Sequence, residues 1–113
     1  MAVLIELEPH RGAANRYVEI AAALKAELET MDGFMSVERL ESLARPGRFL
    51  TLSLWRDEAS LRAWRCHGMH RRAQQEGRRD GLAGYRLRVA TPARDDGLQQ
   101  RDEAPSDSRS ALI

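Results

Sequence analysis

From Ala2 to Glu8 the chain alternates, with Val3, Ile5 and Leu7 on one side and Leu4, Glu6 and Glu8 on the other. A period of two predicts a strand. Pro9 and Gly12 end it. The period then changes. Tyr17, Ile20, Ala21, Leu24, Leu28 and Met31 recur at helical spacing, with Glu19, Lys25, Glu27 and Glu29 between them. This predicts an amphipathic helix over roughly Ala13 to Met31. Asp32-Gly33 marks a turn, and Phe34 to Leu43 reads as a second strand. Arg45-Pro46-Gly47-Arg48 is a hairpin-like connection. Phe49 to Trp55 is the strongest strand signal, with Leu50, Leu52 and Leu54 on one face and Phe49, Thr51, Ser53 and Trp55 on the other. Large apolar groups on both faces predict that both are covered.

Asp57 is a suitable N-cap, followed by Glu58 where the helix dipole favours an acid. The second helix carries Leu61, Trp64 and Ala73, has a weak point at Gly68, and stops near Gly77 to Gly81. Leu82 to Ala90 forms the last strand, with Tyr85, Leu87 and Val89 on one face and Arg86 and Arg88 on the other. Pro92 closes the folded part.

The order β-α-β-β-α-β predicts an α+β, ferredoxin-like domain over residues 1–92: an antiparallel four-stranded sheet with two helices on one face. One helix layer covers one sheet face, so the bare face invites a two-fold homodimer. Residues 93–113 are rich in Arg, Asp, Gln, Glu, Ser and Pro and are expected to form a flexible polar tail.

Composition narrows the classes. A chain of 113 residues suits one domain with a small core. A net charge of +1 argues against a general nucleic-acid partner. Lys25 is the one lysine, so the basic residues are otherwise arginines. The lone cysteine, Cys66, allows no internal disulfide. No apolar run approaches the roughly 20 residues that span a membrane, so no membrane association is expected. Residues 1–8 are too short and too acidic for a signal peptide, which makes a cytoplasmic location the expectation.

The local text is more specific than the element order. Gly33-Phe34-Met35-Ser36-Val37-Glu38-Arg39 is followed by Pro46-Gly47-Arg48-Phe49-Leu50-Thr51-Leu52-Ser53-Leu54-Trp55. Asp57-Glu58-Ala59, Arg62-Ala63-Trp64, His67 and His70-Arg71-Arg72-Ala73-Gln74 come next. This text resembles the antibiotic biosynthesis monooxygenase family over about residues 1–91. The resemblance implies a dimeric α+β barrel, with a pocket in each subunit between the helices and the concave sheet. It also implies a monooxygenase that oxidises a small electron-rich phenol or quinol with O₂ and needs no cofactor or metal. The other reading is a non-catalytic dimeric module that binds a small hydrophobic or aromatic ligand.

By that resemblance Trp64 lines the pocket, where its N–H and ring face would position a substrate. The alternative is a core tryptophan that packs the helix on the sheet. His67 and His70 follow it on the same helix face, and a neutral imidazole there would remove a phenolic proton. The alternative is a pair of surface or helix-end histidines. As metal ligands they lack a matching carboxylate or cysteine. Ser60 stands where quinone-forming relatives carry an asparagine, and Ile5-Glu6 occupies the matching stretch of the first strand, so Ser60 is the candidate substrate contact there. Tyr85 is the candidate from the last strand, reaching either the pocket or the dimer interface. Gln74 stands at the iron-binding histidine position of the haem-degrading branch, which argues against haem chemistry. Glu38, Arg39 and Glu41 are candidates for pairing across the dimer.

Overall fold

The computed structural model of the protein describes residues 1–108, with the backbone alone at Asp80. Residues 109–113 of the expected tail lie outside the described residues. Strand β1 (Ala2–Pro9) leads into helix α1 (Ala14–Glu29), strand β2 (Phe34–Glu41) and strand β3 (Phe49–Trp55). Helices α2 (Glu58–Arg65) and α3 (Gly68–Glu76), a π-helical turn (Gly77–Gly81) and strand β4 (Leu82–Ala90) follow. The sheet order is β2-β3-β1-β4, and every pairing is antiparallel. This is the ferredoxin-like α+β arrangement that the periodicities predict.

The alternation seen in the sequence becomes two distinct sheet faces. Val3 pairs with Ser53, and Ile5 with Thr51. These residues line the helix side together with Val37 and Leu87. The opposite face places Leu4 against Leu52, Leu40 against Leu50 and Glu6 against Arg86. Among the described residues no helix packs on that outer face. There Leu4, Leu50, Leu52 and Leu54 are half-buried, and Leu40 is exposed.

The core is small, as the chain length predicts. Val3, Leu24, Leu28, Trp55, Leu61 and Trp64 form it. Trp55 is its anchor at 1% exposure. Burying an indole requires a partner for its N–H, and Trp55 Nε1 donates to Ser53 Oγ at 3.0 Å. The Phe34 ring meets Trp55 edge-on at 5.4 Å, and Trp64 stacks on it at 6.4 Å.

The expected second helix is divided in two. The break falls at Cys66 and His67, just before Gly68, which becomes the first residue of α3. His67 is extended (φ −67°, ψ 134°), and its Nδ1 accepts the Met69 N–H at 3.2 Å. An imidazole therefore caps α3 by satisfying one of its free backbone donors. Beyond β4, residues 91–108 contain turns and bends without a helix or strand. Within that stretch Ala104 is buried, and Arg101 donates to Asp96 at 2.7 Å.

Candidate active site

A cavity of about 470 Å³ lies between the concave sheet face and the helices. Pockets of this size hold small organic ligands. Its floor includes Val3, Ile5 and Leu7 of β1. Its roof includes Ile20 and Leu24 of α1 and Ala73 of α3. The wall is mostly apolar, with a few polar groups set into it. Along β4, Tyr85, Leu87 and Val89 line the cavity yet remain about half exposed, so this side is open.

Trp64, His70 and Tyr85 all line the cavity, so three of the five candidates come together there. Trp64 is also a core residue, only 6% exposed. Trp64 thus both packs on Trp55 and lines the cavity. The His70 ring lies 4.9 Å from the Trp64 ring, at an interplanar angle of 36°.

His70 is mostly buried, and burial holds its pKa below the ordinary histidine value. A hydrogen bond to the Arg65 carbonyl opposes this shift, and nearby His67 adds to it. The imidazole is consequently neutral at pH 7. Its Nδ1 is buried and has no hydrogen-bond partner among the described residues.

His67 and Ser60 are placed differently. His67 does not line the cavity. Its ring lies 5.3 Å from Trp64, with Nδ1 committed to the α3 cap and Nε2 3.6 Å from Glu27 Oε2. Ser60 borders a separate shallow depression with Met31, Asp32 and Arg56. There it completes the α2 N-cap. Asp57 Oδ1 accepts from both Ser60 N at 2.8 Å and Ser60 Oγ at 2.7 Å. These bonds, with Arg56 beside them, lower the Asp57 pKa to about 2. Gly33 packs directly on this corner: a Cβ there would sit 1.9 Å from Ser60 Oγ, and its φ of +82° also favours glycine.

Several cavity residues went unrecognised in the sequence. Tyr17 Oη and Thr51 Oγ1 lie 3.2 Å apart and both line the cavity. Gln74 supplies an amide to the wall. Arg39 also lines the cavity rather than the outer sheet face, which corrects its assignment to pairing across a dimer. The alternation already placed Arg39 on the side of Val37, away from Glu38. Nothing in the sequence said which side holds the cavity. Arg16 borders it as well, donating to Glu76 through Nε at 2.8 Å and Nη2 at 2.9 Å, which ties α1 to α3. Among the described residues, no group of three histidines, cysteines or carboxylates is arranged to hold a metal ion.

This fold and cavity define a class. The antibiotic biosynthesis monooxygenase family matches residues 1–76, and the chain belongs to that family. It is 46% identical over 88 residues to a protein from Pyricularia oryzae named jasmonate monooxygenase ABM. That match covers 78% of this chain, which spans only 41% of the relative's length. SnoaB, a cofactor-independent oxygenase from Streptomyces nogalater, has a similar fold (TM-score 0.65, 15% identity, covering 80% of this chain and 92% of SnoaB). The Mycobacterium tuberculosis protein Rv0793 is also similar (TM-score 0.76, 17% identity, covering 85% and 97%). At these identities the two structures speak for the fold alone. No helix among the described residues is long and apolar enough to cross a membrane.

Proposed function

We propose that the chain is a monooxygenase subunit that oxidises a small electron-rich ring compound, a phenol or quinol, inside the cavity beside Trp64. The observation that carries this reading is a neutral histidine, His70, with its ring 4.9 Å from that of Trp64 on the wall of an apolar cavity. Trp64 positions the ring by stacking. The His70 imidazole takes the phenolic proton, because an uncharged imidazole is a base near neutral pH. The resulting phenolate is electron-rich enough to reduce O₂ itself. Converting a phenol and O₂ to a quinone and water balances with the substrate as the only reductant: one oxygen atom enters the ring and the other leaves as water. The protein contributes binding, the anion and exclusion of water. Tyr85 stands at the open β4 side, where it would meet substrate on entry.

We also propose that the active form is a homodimer in which a second copy covers the outer sheet face. The uncovered leucines of β1 and β3 support this, because an apolar face in water favours association.

Oxygen consumption by the purified chain tests the first reading. Hydroquinone-type substrates would be used, with jasmonate added because of the relative's name. Uptake is expected with wild type and a loss of about 100-fold with His70→Asn, the usual scale for removing a general base. Ligand binding without oxygen uptake on any substrate would instead support a non-catalytic binding module.

A further inference from the structure

We infer that the cavity selects apolar compounds carrying a carboxylate, and that Arg39 is the residue that anchors the acid. The inference deepens the proposed function, since it names a substrate class for the same cavity. Arg39 lies on β2 opposite Thr51 in the sheet register and faces the cavity, half-buried. Among the described residues no carboxylate forms an ion pair with it. Two of its neighbours in the wall differ: Arg16 is held by Glu76 and Glu19, and Arg65 by Glu58. A partly desolvated guanidinium without a counter-charge gains much from an incoming anion.

The surroundings fit a carboxylate in particular. The flat guanidinium fork matches its two oxygens. Tyr17 and Thr51, on either side of one hydrogen bond, carry two hydroxyl hydrogens, and that bond uses one of them. The other remains to be donated to a carboxylate oxygen. The lining holds four arginines, Arg16, Arg39, Arg65 and Arg78, against the single carboxylate Glu76, so the local field favours an anion.

The fold also separates the acid from the reacting end. Thr51, opposite Arg39, and Trp55, under Trp64, lie four positions apart on β3. That spacing corresponds to roughly 13 Å along the strand. Ile5, Leu24 and Leu87 line the space between the helices and sheet, where an apolar body would lie. The ligand is therefore elongated, with its acid at Arg39 and its body running toward Trp64 and His70.

Calorimetric titration of the full chain tests this without turnover. The probes are decanoate and 4-phenylbutanoate, each beside its methyl ester. At neutral pH the acids are expected to bind more tightly than the esters. Arg39→Gln is expected to weaken acid binding about tenfold or more and leave ester binding unchanged. Arg39→Lys is expected to restore part of the loss. Added salt is expected to weaken acid binding in wild type and to have little effect in Arg39→Gln. Acid binding indifferent to Arg39→Gln, esters that match the acids in wild type, or no acid binding at millimolar concentration would each overturn the inference. Acid binding through Arg39 in a protein that consumes no oxygen would sink the oxidation reading alone. Oxidation with acid binding indifferent to Arg39 would sink the anchor alone.

Discussion

The Trp64 face of the second helical segment carries two histidines, and burial separates their roles. Both lie within a helical turn or two of Trp64, and the sequence does not distinguish them. The structure commits His67 Nδ1 to a backbone N–H, whereas His70 lines the cavity. Desolvation holds the His70 pKa below the ordinary histidine value. In the unfolded chain the ring takes up its proton at that ordinary value, about 6.5. Between the two values the unfolded state binds more protons, so stability falls as pH drops below about 6.5. The same shift keeps the base free at lower pH. The acid limb of kcat/KM is expected to have its midpoint below 6.5, the ordinary value, and His70→Asn is expected to flatten the fall in stability over the same range. A pH–rate profile and thermal melts at matched pH check this, and an acid limb centred at or above 6.5 would assign the base elsewhere. Ser60 was equally opaque. The family resemblance made it a candidate substrate contact, while Asp57, Arg56 and Gly33 hold it at the α2 cap. Only the packing of the α1–β2 turn on α2 shows this.

At the scale of elements, the strands and α1 were legible because each has a clean period and a clear stop. The α2–α3 break was less so. Gly68 marks a weak point on propensity, but the break sits one residue earlier, where the His67 ring supplies a capping acceptor that propensity does not describe. Gly77 and Gly81 announced an ending, though not the π-helical turn between them. The cap leads to a distinct expectation for His67. Replacing an N-cap side chain by alanine costs about 1 kcal/mol. His67→Ala is expected to lower the unfolding free energy by about that much, while His67→Asn, which keeps a short side-chain acceptor, is expected to recover most of it. Because His67 does not line the cavity, both variants are expected to keep their substrate KM. Chemical denaturation with steady-state kinetics checks both halves. A large kcat loss in His67→Asn at unchanged stability would show that His67 does more than cap α3.

For the molecule as a whole, the sequence pattern demanded more cover than one chain supplies. β3 is apolar on both faces, and the helices cover only the Thr51, Ser53 and Trp55 side. On the other face Leu40, Leu50, Leu52, Leu54 and Leu4 form a band across β2, β3 and β1. Glu38 lies at one edge of this band, and Arg86 and Arg88 lie toward β4, where Arg88 meets Glu6 at 3.3 Å. An apolar centre with opposite charges on its two sides suits a self-complementary, two-fold contact. Leu52 is the point to test, because it pairs with Leu4 on one side and Glu38 on the other and so lies within the band. Leu52→Asp would place a carboxylate where a partner has to exclude water, and burying an unpaired charge costs several kcal/mol. The dimer dissociation constant is expected to rise by on the order of 100-fold or more. The monomer is expected to keep its circular dichroism spectrum, since residue 52 faces away from the core. Analytical ultracentrifugation over a concentration series reads this directly. A wild-type chain that sediments as a monomer, or a Leu52→Asp chain that dimerises as tightly as wild type, would leave the outer sheet face without the proposed partner.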